Sequence, residues 1–261
     1  MFFSDGCIVK LMSFFDRQKE SALAGVDLSR KGSIDLPIVK LTEVINSHSD
    51  TFTLSSCSGR VVLLREAPIG QSVRKAGCDW LRVSHEELRP DSVMDSLDTR
   101  EAGTPGTVVL KFEPFVLHVQ CRDVDTARRM CACAVEAGFR NSGITWGRAG
   151  KLVMAVRSTH GLEVPITDDA GAELVTREYV AFIVEKANSK LRENFKRIKK
   201  FEDLTIEILN KKLHIEEKEN KKTRQIYRRK NKRNKDQSST FEKGEEEPKD
   251  IFNDFEKIFL E

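Results

Sequence analysis

The sequence predicts an α/β protein of the mixed α+β kind, with a non-Rossmann mixed sheet, packed helices and a long C-terminal helix. Between residues 107 and 156 the apolar pattern changes from strand to helix and then to two short strands around a glycine-rich turn. From about Thr176, apolar residues recur at helical spacing beyond Phe201. No predicted strand is followed by the turn GxGxxG, so a Rossmann fold is not expected.

The first hundred residues predict two helices and three strands. Apolar residues at helical spacing indicate amphipathic helices over Ile8–Ala24 and Pro37–Asn46. Short apolar runs indicate strands at 51–54, 61–64 and 80–83. The segment Ser55–Arg60 is small and polar, so we predict a loop there. Residues 89–106 mix helix and turn signals and predict no single element.

The segment after residue 107 has the clearest local pattern. Apolar and polar residues alternate over Phe115–Arg122, which places His118, Gln120 and Arg122 together on one face of a strand. Pro114 interrupts the strand and indicates an edge or a bulge. Asp123 is a suitable N-cap for the following helix, and Gly138 suits its end.

Charge divides the chain into two predicted parts. The formal charge is +3, yet the run Lys221–Lys235 holds nine Lys or Arg and no acid, and residues 236–261 hold nine acids and three lysines. We therefore predict a folded body at 1–210 and a tail without regular structure at 211–261, basic at 221–235 and acidic at 236–261. The basic run is interpreted as a phosphate-binding arm, a solvated spacer or a nuclear localisation signal.

Composition argues against several classes of protein. No run approaches the roughly 20 apolar residues of a membrane span, and the first residues lack a secretory signal, so a cytoplasmic protein is expected. The six cysteines include no CxxC pair, which favours free thiols over a disulfide scaffold or a zinc ribbon. Cys131 and Cys133 point to different sides of a predicted helix. No metal site is expected.

Polar clusters lie where packing alone would not place small, charged and ring side chains. Five segments follow one another: DLSRKGS (27–33), SSCSGR (55–60), KFEPFVLHVQCR (111–122), GFRNSGI (138–144) and RSTHGLEVP (157–165). In this order they resemble the tRNA wybutosine-synthesising protein 3 family, over a stretch from about Leu23 to about Phe201.

The resemblance implies an enzyme of RNA modification. It implies methylation, by S-adenosyl-L-methionine, of N4 of 7-(3-amino-3-carboxypropyl)-4-demethylwyosine beside the anticodon of phenylalanine tRNA. The expected partner is this tRNA, with neither DNA nor a membrane. One alternative is a non-catalytic tRNA-binding subunit that presents the anticodon loop to another methyltransferase, and another is a plain RNA-binding module. The absence of GxGxxG leaves the cofactor without a motif to place it.

Within the matched motifs we take His160 as the first candidate for the base that accepts the N4 proton, with His118 and Glu113 as further candidates. His118 could instead bond a neighbouring backbone, and His160 could cap a turn. Trp146 could stack on the target base or lie in a hairpin core. A covalent role for Cys57 is weighed and disfavoured, because a nitrogen attacks a methyl sulfonium directly.

The remaining candidates are cofactor- or substrate-binding residues. Three arginines could bind carboxylate or phosphate oxygens in pairs, or could form surface ion pairs. The candidate binding set comprises Ser56, Cys57, Ser58, Gly59, Arg60, Lys111, Arg140, Ser142, Gly143, Arg157, Ser158 and Glu163.

Overall fold

The computed structural model describes residues 12–25, 32–66, 78–100 and 104–238, with side chains as far as residue 210. The chain divides into two compact units, Met1–Asn210 and Lys211–Glu261. The roles predicted for them, a methyltransferase body and an accessory tail, stay predictions. Most of the DLSRKGS segment and nearly all of the acidic segment lie outside the described residues.

Five α-helices are described, each close to a sequence signal. Helix α1 begins with a capping box, in which Ser13 and Asp16 bond each other's backbone. Helix α2 follows a 3-10 turn, and α4 is capped by Asp123, whose carboxylate accepts from the Thr126 N–H at 2.7 Å. Helix α3 occupies the segment for which the sequence predicted no element, with Pro90 in its first turn. The bounds are α1 Phe14–Ala24, α2 Val39–Ser47, α3 Pro90–Asp98, α4 Val124–Glu136 and α5 Arg177–Ser238.

Helix α5 continues through the basic run to Ser238, where the sequence predicted little regular structure. Charged residues at helical spacing can hold such a helix through pairs three and four apart. Although α5 spans 62 residues, no helix among the described residues combines the length and apolarity of a membrane span.

Eight strands form two antiparallel sheets of four strands each. The strand order is β1-β5-β7-β6 in sheet 1 and β3-β2-β4-β8 in sheet 2. The predicted α/β class is confirmed, and its strands divide between two antiparallel sheets. The bounds are β1 Thr51–Cys57, β2 Arg60–Arg65, β3 Asp79–Ser84, β4 Val108–Glu113, β5 Val116–Cys121, β6 Gly143–Trp146, β7 Leu152–Val156 and β8 Leu162–Pro165.

Two local predictions are wrong at the points where the chain changes sheets. The segment Ser55–Arg60 is not a loop, because β1 pairs with β5 as far as Cys57 and β2 begins at Arg60. Pro114 marks neither a bulge nor an edge within one strand. It lies between β4 in sheet 2 and β5 in sheet 1, where its missing N–H ends the pairing.

The chain passes between the two sheets at three neighbouring places. The links are Ser58–Gly59 between β1 and β2, Pro114–Phe115 between β4 and β5, and Arg157–Gly161 between β7 and β8. Strands β1, β5 and β7 are adjacent in sheet 1, and β2, β4 and β8 are adjacent in sheet 2, so the links lie side by side. We call these three links the seam.

The first part of helix α5 packs under both sheets. Val184 and Leu191 are buried in the core of sheet 2, and Ile198 and Phe201 are buried in the core of sheet 1. Phe195 lies between these pairs and contacts both cores. The helix therefore packs against the cores of both sheets, which the seam connects.

Candidate active site at the seam

The first two links bring together the motif residues around Gly59 and Glu113. The Arg60 Nε donates to the Glu113 carboxylate at 2.6 Å, and its guanidinium carbon lies 4.9 Å from the centre of the Trp80 ring. The ion pair that the sequence left open for Arg60 is thus formed with Glu113.

The buried side chain of Asn194, on helix α5, is hydrogen-bonded to both of these links. The Asn194 Nδ2 donates to the Ser58 carbonyl at 2.8 Å, and its Oδ1 accepts from the Phe115 N–H at 2.9 Å. Gly59 has a φ of +95°, and a Cβ there would lie 2.9 Å from the Asn194 Nδ2. Sequence reasoning missed Asn194. The sequence signal that could have identified it is a polar residue within the apolar stripe of α5, three residues after Leu191.

A second group missed by sequence reasoning lies beside the first link. The Asp35 carboxylate accepts from the Ser58 N–H at 2.9 Å and lies 3.3 Å from the His85 Nδ1. The same Nδ1 is 3.1 Å from the Gly59 carbonyl. The Asp35 carboxylate and the Gly59 carbonyl therefore orient the His85 ring through its Nδ1.

Cys57 completes this group, and its environment restricts what it can do. Ligand atoms of Asp35, Cys57 and His85 lie within 4.8 Å of one another, as in a metal site. Burial raises the pKa of the Cys57 thiol, so it remains protonated at neutral pH. The thiolate is both the metal ligand and the nucleophile, so the environment favours neither role. None of the five cysteines in the described part of the chain forms a disulfide.

His118 lies on the outer face of sheet 1 with two side-chain partners. Its Nδ1 is 3.0 Å from the Ser55 hydroxyl and its Nε2 is 3.5 Å from the Arg157 guanidinium. Burial, and then Arg157, lowers its pKa. The Arg157 N–H donates to the Ser142 hydroxyl at 3.2 Å, which places these motif residues together. Gly143 is the first residue of β6 beside them, and Ser56 is exposed on β1.

Gln120 and Arg122, predicted to share this face with His118, are used to hold helix α1. The Gln120 amide donates to Gln18 at 2.6 Å. Arg122 donates to Asp50 at 2.8 Å and pairs with Asp16. His118, in contrast, has Ser55 and Arg157 as its side-chain partners.

Lys111 and Glu163 form an ion cluster on sheet 2. The Lys111 ammonium lies 2.6 Å from the Glu66 carboxylate and 3.1 Å from that of Glu163. Their strands are paired, with Lys111 directly opposite Glu163. The two predicted binding residues are thus partners of each other.

The third link forms one wall of an open cleft of about 660 Å³. The other walls are the C-terminal end of α4 with the loop after it, and one face of α5. Of the predicted residues, Arg140, Ser158 and His160 line this cleft.

His160 is one of the residues that line the cleft. Its Nε2 is buried and has no hydrogen-bond partner within the described part of the chain. Burial, and then Lys190 and Arg197, lowers its pKa, so the ring is neutral at pH 7. Its backbone N–H donates to the Ser158 hydroxyl at 3.0 Å. The ring itself caps no turn.

The cleft is strongly basic. Five of its lining residues are Lys or Arg and two are Glu. Gly138 has a φ of +103°, and a Cβ there would lie 3.3 Å from the Arg197 side chain. The glycine thus ends α4 and leaves room for Arg197 to cross its end.

The comparisons with known proteins agree with the motifs at the seam. A family model described as Methyltransferase TYW3 matches residues 17–207. The chain belongs to the TYW3 methyltransferase family. The tRNA wybutosine-synthesizing protein 3 homolog of Xenopus laevis is 42% identical over 249 residues, which are 92% of this chain and 97% of that protein. The Homo sapiens homolog is 46% identical over 187 residues, 72% and 70% of the two chains.

Solved structures share the TYW3-type fold. The PH1069 protein of Pyrococcus horikoshii superposes with a TM-score of 0.64 at 31% identity, covering 75% of this chain and 95% of that one. The predicted resemblance is therefore confirmed, and membership of the TYW3 family makes this chain a methyltransferase. The non-catalytic subunit and the plain RNA-binding module are not favoured. The family match ends before the basic run.

Proposed function

We propose that this chain methylates N4 of 7-(3-amino-3-carboxypropyl)-4-demethylwyosine beside the anticodon of phenylalanine tRNA, with S-adenosyl-L-methionine as donor, in the cytoplasm. The observation that carries the proposal is the seam, where three of the motifs become neighbouring links beside an open cleft. The names of the relatives, wybutosine-synthesizing proteins that act on tRNA, support the substrate.

The dimensions of the cleft suit a large flat base. Its volume of about 660 Å³ falls within the range of roughly 300–1,000 Å³ typical of ligand pockets. Holding base and donor in line contributes on the order of 7–11 kcal/mol to a two-substrate reaction. Positioning is therefore the largest task of these residues.

The residues at the seam fit a sulfonium cofactor. When bound, S-adenosyl-L-methionine supplies an electrophilic methyl group. Asp35 and Glu113 are the carboxylates at the first two links that would face its positive charge, and Arg157 on the outer face of sheet 1 would be a partner for its carboxylate. We propose that the predicted binding residues near the links serve the cofactor or the base, namely Ser56, Cys57, Ser58, Gly59, Arg60, Ser142, Gly143, Arg157 and Ser158.

The proton on N4 has to leave as the new N–C bond forms. His160 is the first candidate to accept it, because its Nε2 is unbonded and the neutral ring lines the cleft. His85 is a second candidate, since Asp35 and Gly59 orient its ring through Nδ1 beside the first link. A positioned base contributes roughly 10²–10⁴-fold to the rate.

Mass analysis of nucleosides from under-methylated phenylalanine tRNA, incubated with the chain and the donor, tests the reaction. A mass gain of one methyl group on the target nucleoside supports the proposal, and no gain at any enzyme concentration refutes it. Single-turnover rates of His160→Gln, His85→Gln and His118→Gln identify the base as the residue whose loss slows methylation at least about 100-fold.

A further inference from the structure

The basic side chains of the cleft form a surface apart from the residues that hold the first two links. On α5, Lys190, Glu193, Arg197 and Lys200 follow at three- and four-residue spacing, so they share one face of the helix. This face lines the cleft. The cleft is therefore basic along the length of this helix face.

Several of these cations are only partly neutralised by protein acids. The Arg197 Nε donates to Glu193 at 3.1 Å, and the Lys200 Nζ donates to the Glu136 carbonyl at the end of α4 at 2.9 Å. Arg140 and Lys196 are exposed at the cleft and stand in no salt bridge within 4.0 Å among the described residues. Positive charge is thus left over for a ligand.

A sulfonium cofactor is a poor match for this lining. Five cations against two acids repel a positively charged donor, whereas they attract the negative oxygens of a phosphate chain. The cleft also lies open to solvent along α5, as a polymer that continues beyond the site requires.

We propose that the basic side of the cleft, formed by α5 and the loop after α4 and apart from the wall that holds His160, is the subsite for RNA backbone phosphates next to the methylated nucleotide, with Arg140 and Lys196 as direct phosphate ligands. The proposal rests on the proposed function, because it assumes that a tRNA nucleotide enters at the seam. His160 and Ser158, on the link at the inner wall, would then face the nucleotide whose flanking phosphates these cations bind. Phosphate contacts fix position and register and carry no base sequence.

The test compares the double variant Arg140→Gln/Lys196→Gln with the full-length wild-type chain. Affinity for transcribed phenylalanine tRNA is measured as a function of salt. Each lost phosphate contact should reduce the slope of log K against log salt by about 0.7 for single-stranded RNA, so the double variant should lose about 1.4. Both side chains are exposed, so the thermal unfolding midpoint should stay unchanged.

Lys186→Gln is the matched control, since it removes one exposed cation from the same helix outside the cleft. It should leave the slope within error of wild type. Calorimetric affinity for S-adenosyl-L-methionine should be the same in all three proteins. An unchanged slope in the double variant, or a loss of cofactor affinity in place of tRNA affinity, would overturn the proposal.

The two proposals fail in different ways. One outcome is that the wild-type chain does not methylate the tRNA, while the double variant still has a smaller slope of log K against log salt. In that case the proposed reaction is wrong and the phosphate subsite stands. If wild type methylates and the slope does not change, the subsite is wrong and the reaction stands.

Discussion

The Asn194 side chain donates a hydrogen bond to the Ser58 carbonyl at 2.8 Å and accepts one from the Phe115 N–H at 2.9 Å. One residue of α5 thereby holds two of the three links between the sheets. The link containing Gly59 could not relax outward without breaking the bond to the Ser58 carbonyl.

Replacing Asn194 with alanine should destabilise the fold and disturb the site. Each buried polar group left without its partner costs about 1–3 kcal/mol, so the free energy of unfolding should fall by at least that amount. Asn188→Ala is the control, since Asn188 is buried on the same helix and bonds the Leu88 N–H and carbonyl, both at 2.9 Å.

Urea unfolding and single-turnover methylation separate the two effects. Both variants should lose similar stability, while Asn194→Ala should lose more activity per molecule of folded protein. Equal activity per folded molecule in the two variants would show that the hydrogen bonds from Asn194 to Ser58 and Phe115 are not needed for the reaction.

The pH dependence of the rate should follow His160 if it is the base. Burial and neighbouring cations lower its pKa, so the proton-accepting form is complete at neutral pH. The single-turnover rate should therefore be flat around pH 7 and fall only below the ordinary histidine pKa of about 6.5. In His160→Gln this inflection should disappear. A wild-type rate that falls at a higher pH would assign the base to another group.

Trp146 is 67% exposed at the end of β6, so the predicted alternative of a hairpin-core residue is wrong. Arg148 and Lys151 beside it are also exposed. We expect Trp146→Ala to leave the unfolding midpoint unchanged and to weaken tRNA binding by about 1–3 kcal/mol, the usual worth of base stacking on an aromatic ring. Phe182→Ala, another exposed aromatic, is the control, and equal tRNA affinity in both variants would exclude stacking.

Helix α1 should be released in acid. Hydrogen bonds from Arg122 and then Ser13 hold the Asp16 pKa well below its ordinary range. The folded pKa lies under the unfolded value of about 3.9, so this contribution is complete above that pH and is lost as the pH falls through the folded pKa. Asp16→Asn should lower the urea midpoint at neutral pH, with a difference from wild type that shrinks below about pH 3.9.

Glu20→Gln removes a different exposed carboxylate from the same helix and serves as the control. It should not change the urea midpoint at neutral pH. If it lowers the midpoint as much as Asp16→Asn does, the Asp16 contact to Arg122 is not what holds the helix.

Deleting residues 211–261 should weaken tRNA binding without abolishing methylation. The basic run Lys221–Lys235 carries nine cations, and each phosphate it neutralises steepens the salt dependence by about 0.7–0.9 in log-log slope. Filter binding across a salt series measures this. An affinity at low salt equal to wild type would leave the spacer and the localisation signal as the remaining interpretations of the run.

Local signals predicted much of this fold. The alternation over Phe115–Arg122 became β5, Asp123 capped α4, and the pair Ile144–Trp146 and Leu152–Val156 became the hairpin of β6 and β7. Each of these features depends on residues close in sequence, whose spacing sets the side-chain direction.

Long-range relationships could not be predicted in the same way. Ser55 and Ser56 look like loop residues, and they become strand only because β5 pairs with them from more than fifty residues away. The Asp35 carboxylate and the His85 ring meet only once β1 and β3 are placed. Motif composition therefore located the region of the site, while the partners of each side chain required the structure.

Because the chain changes sheets three times, neither sheet is formed from a continuous stretch of sequence. No single cut of the chain separates the strands of one sheet from those of the other, so we expect the seam to assemble only together with the global fold. Any ligand that binds there stabilises the whole body by RT ln(1 + [L]/Kd). The abundance of substrate tRNA in a cell would then help to set how much of this protein stays folded and escapes degradation.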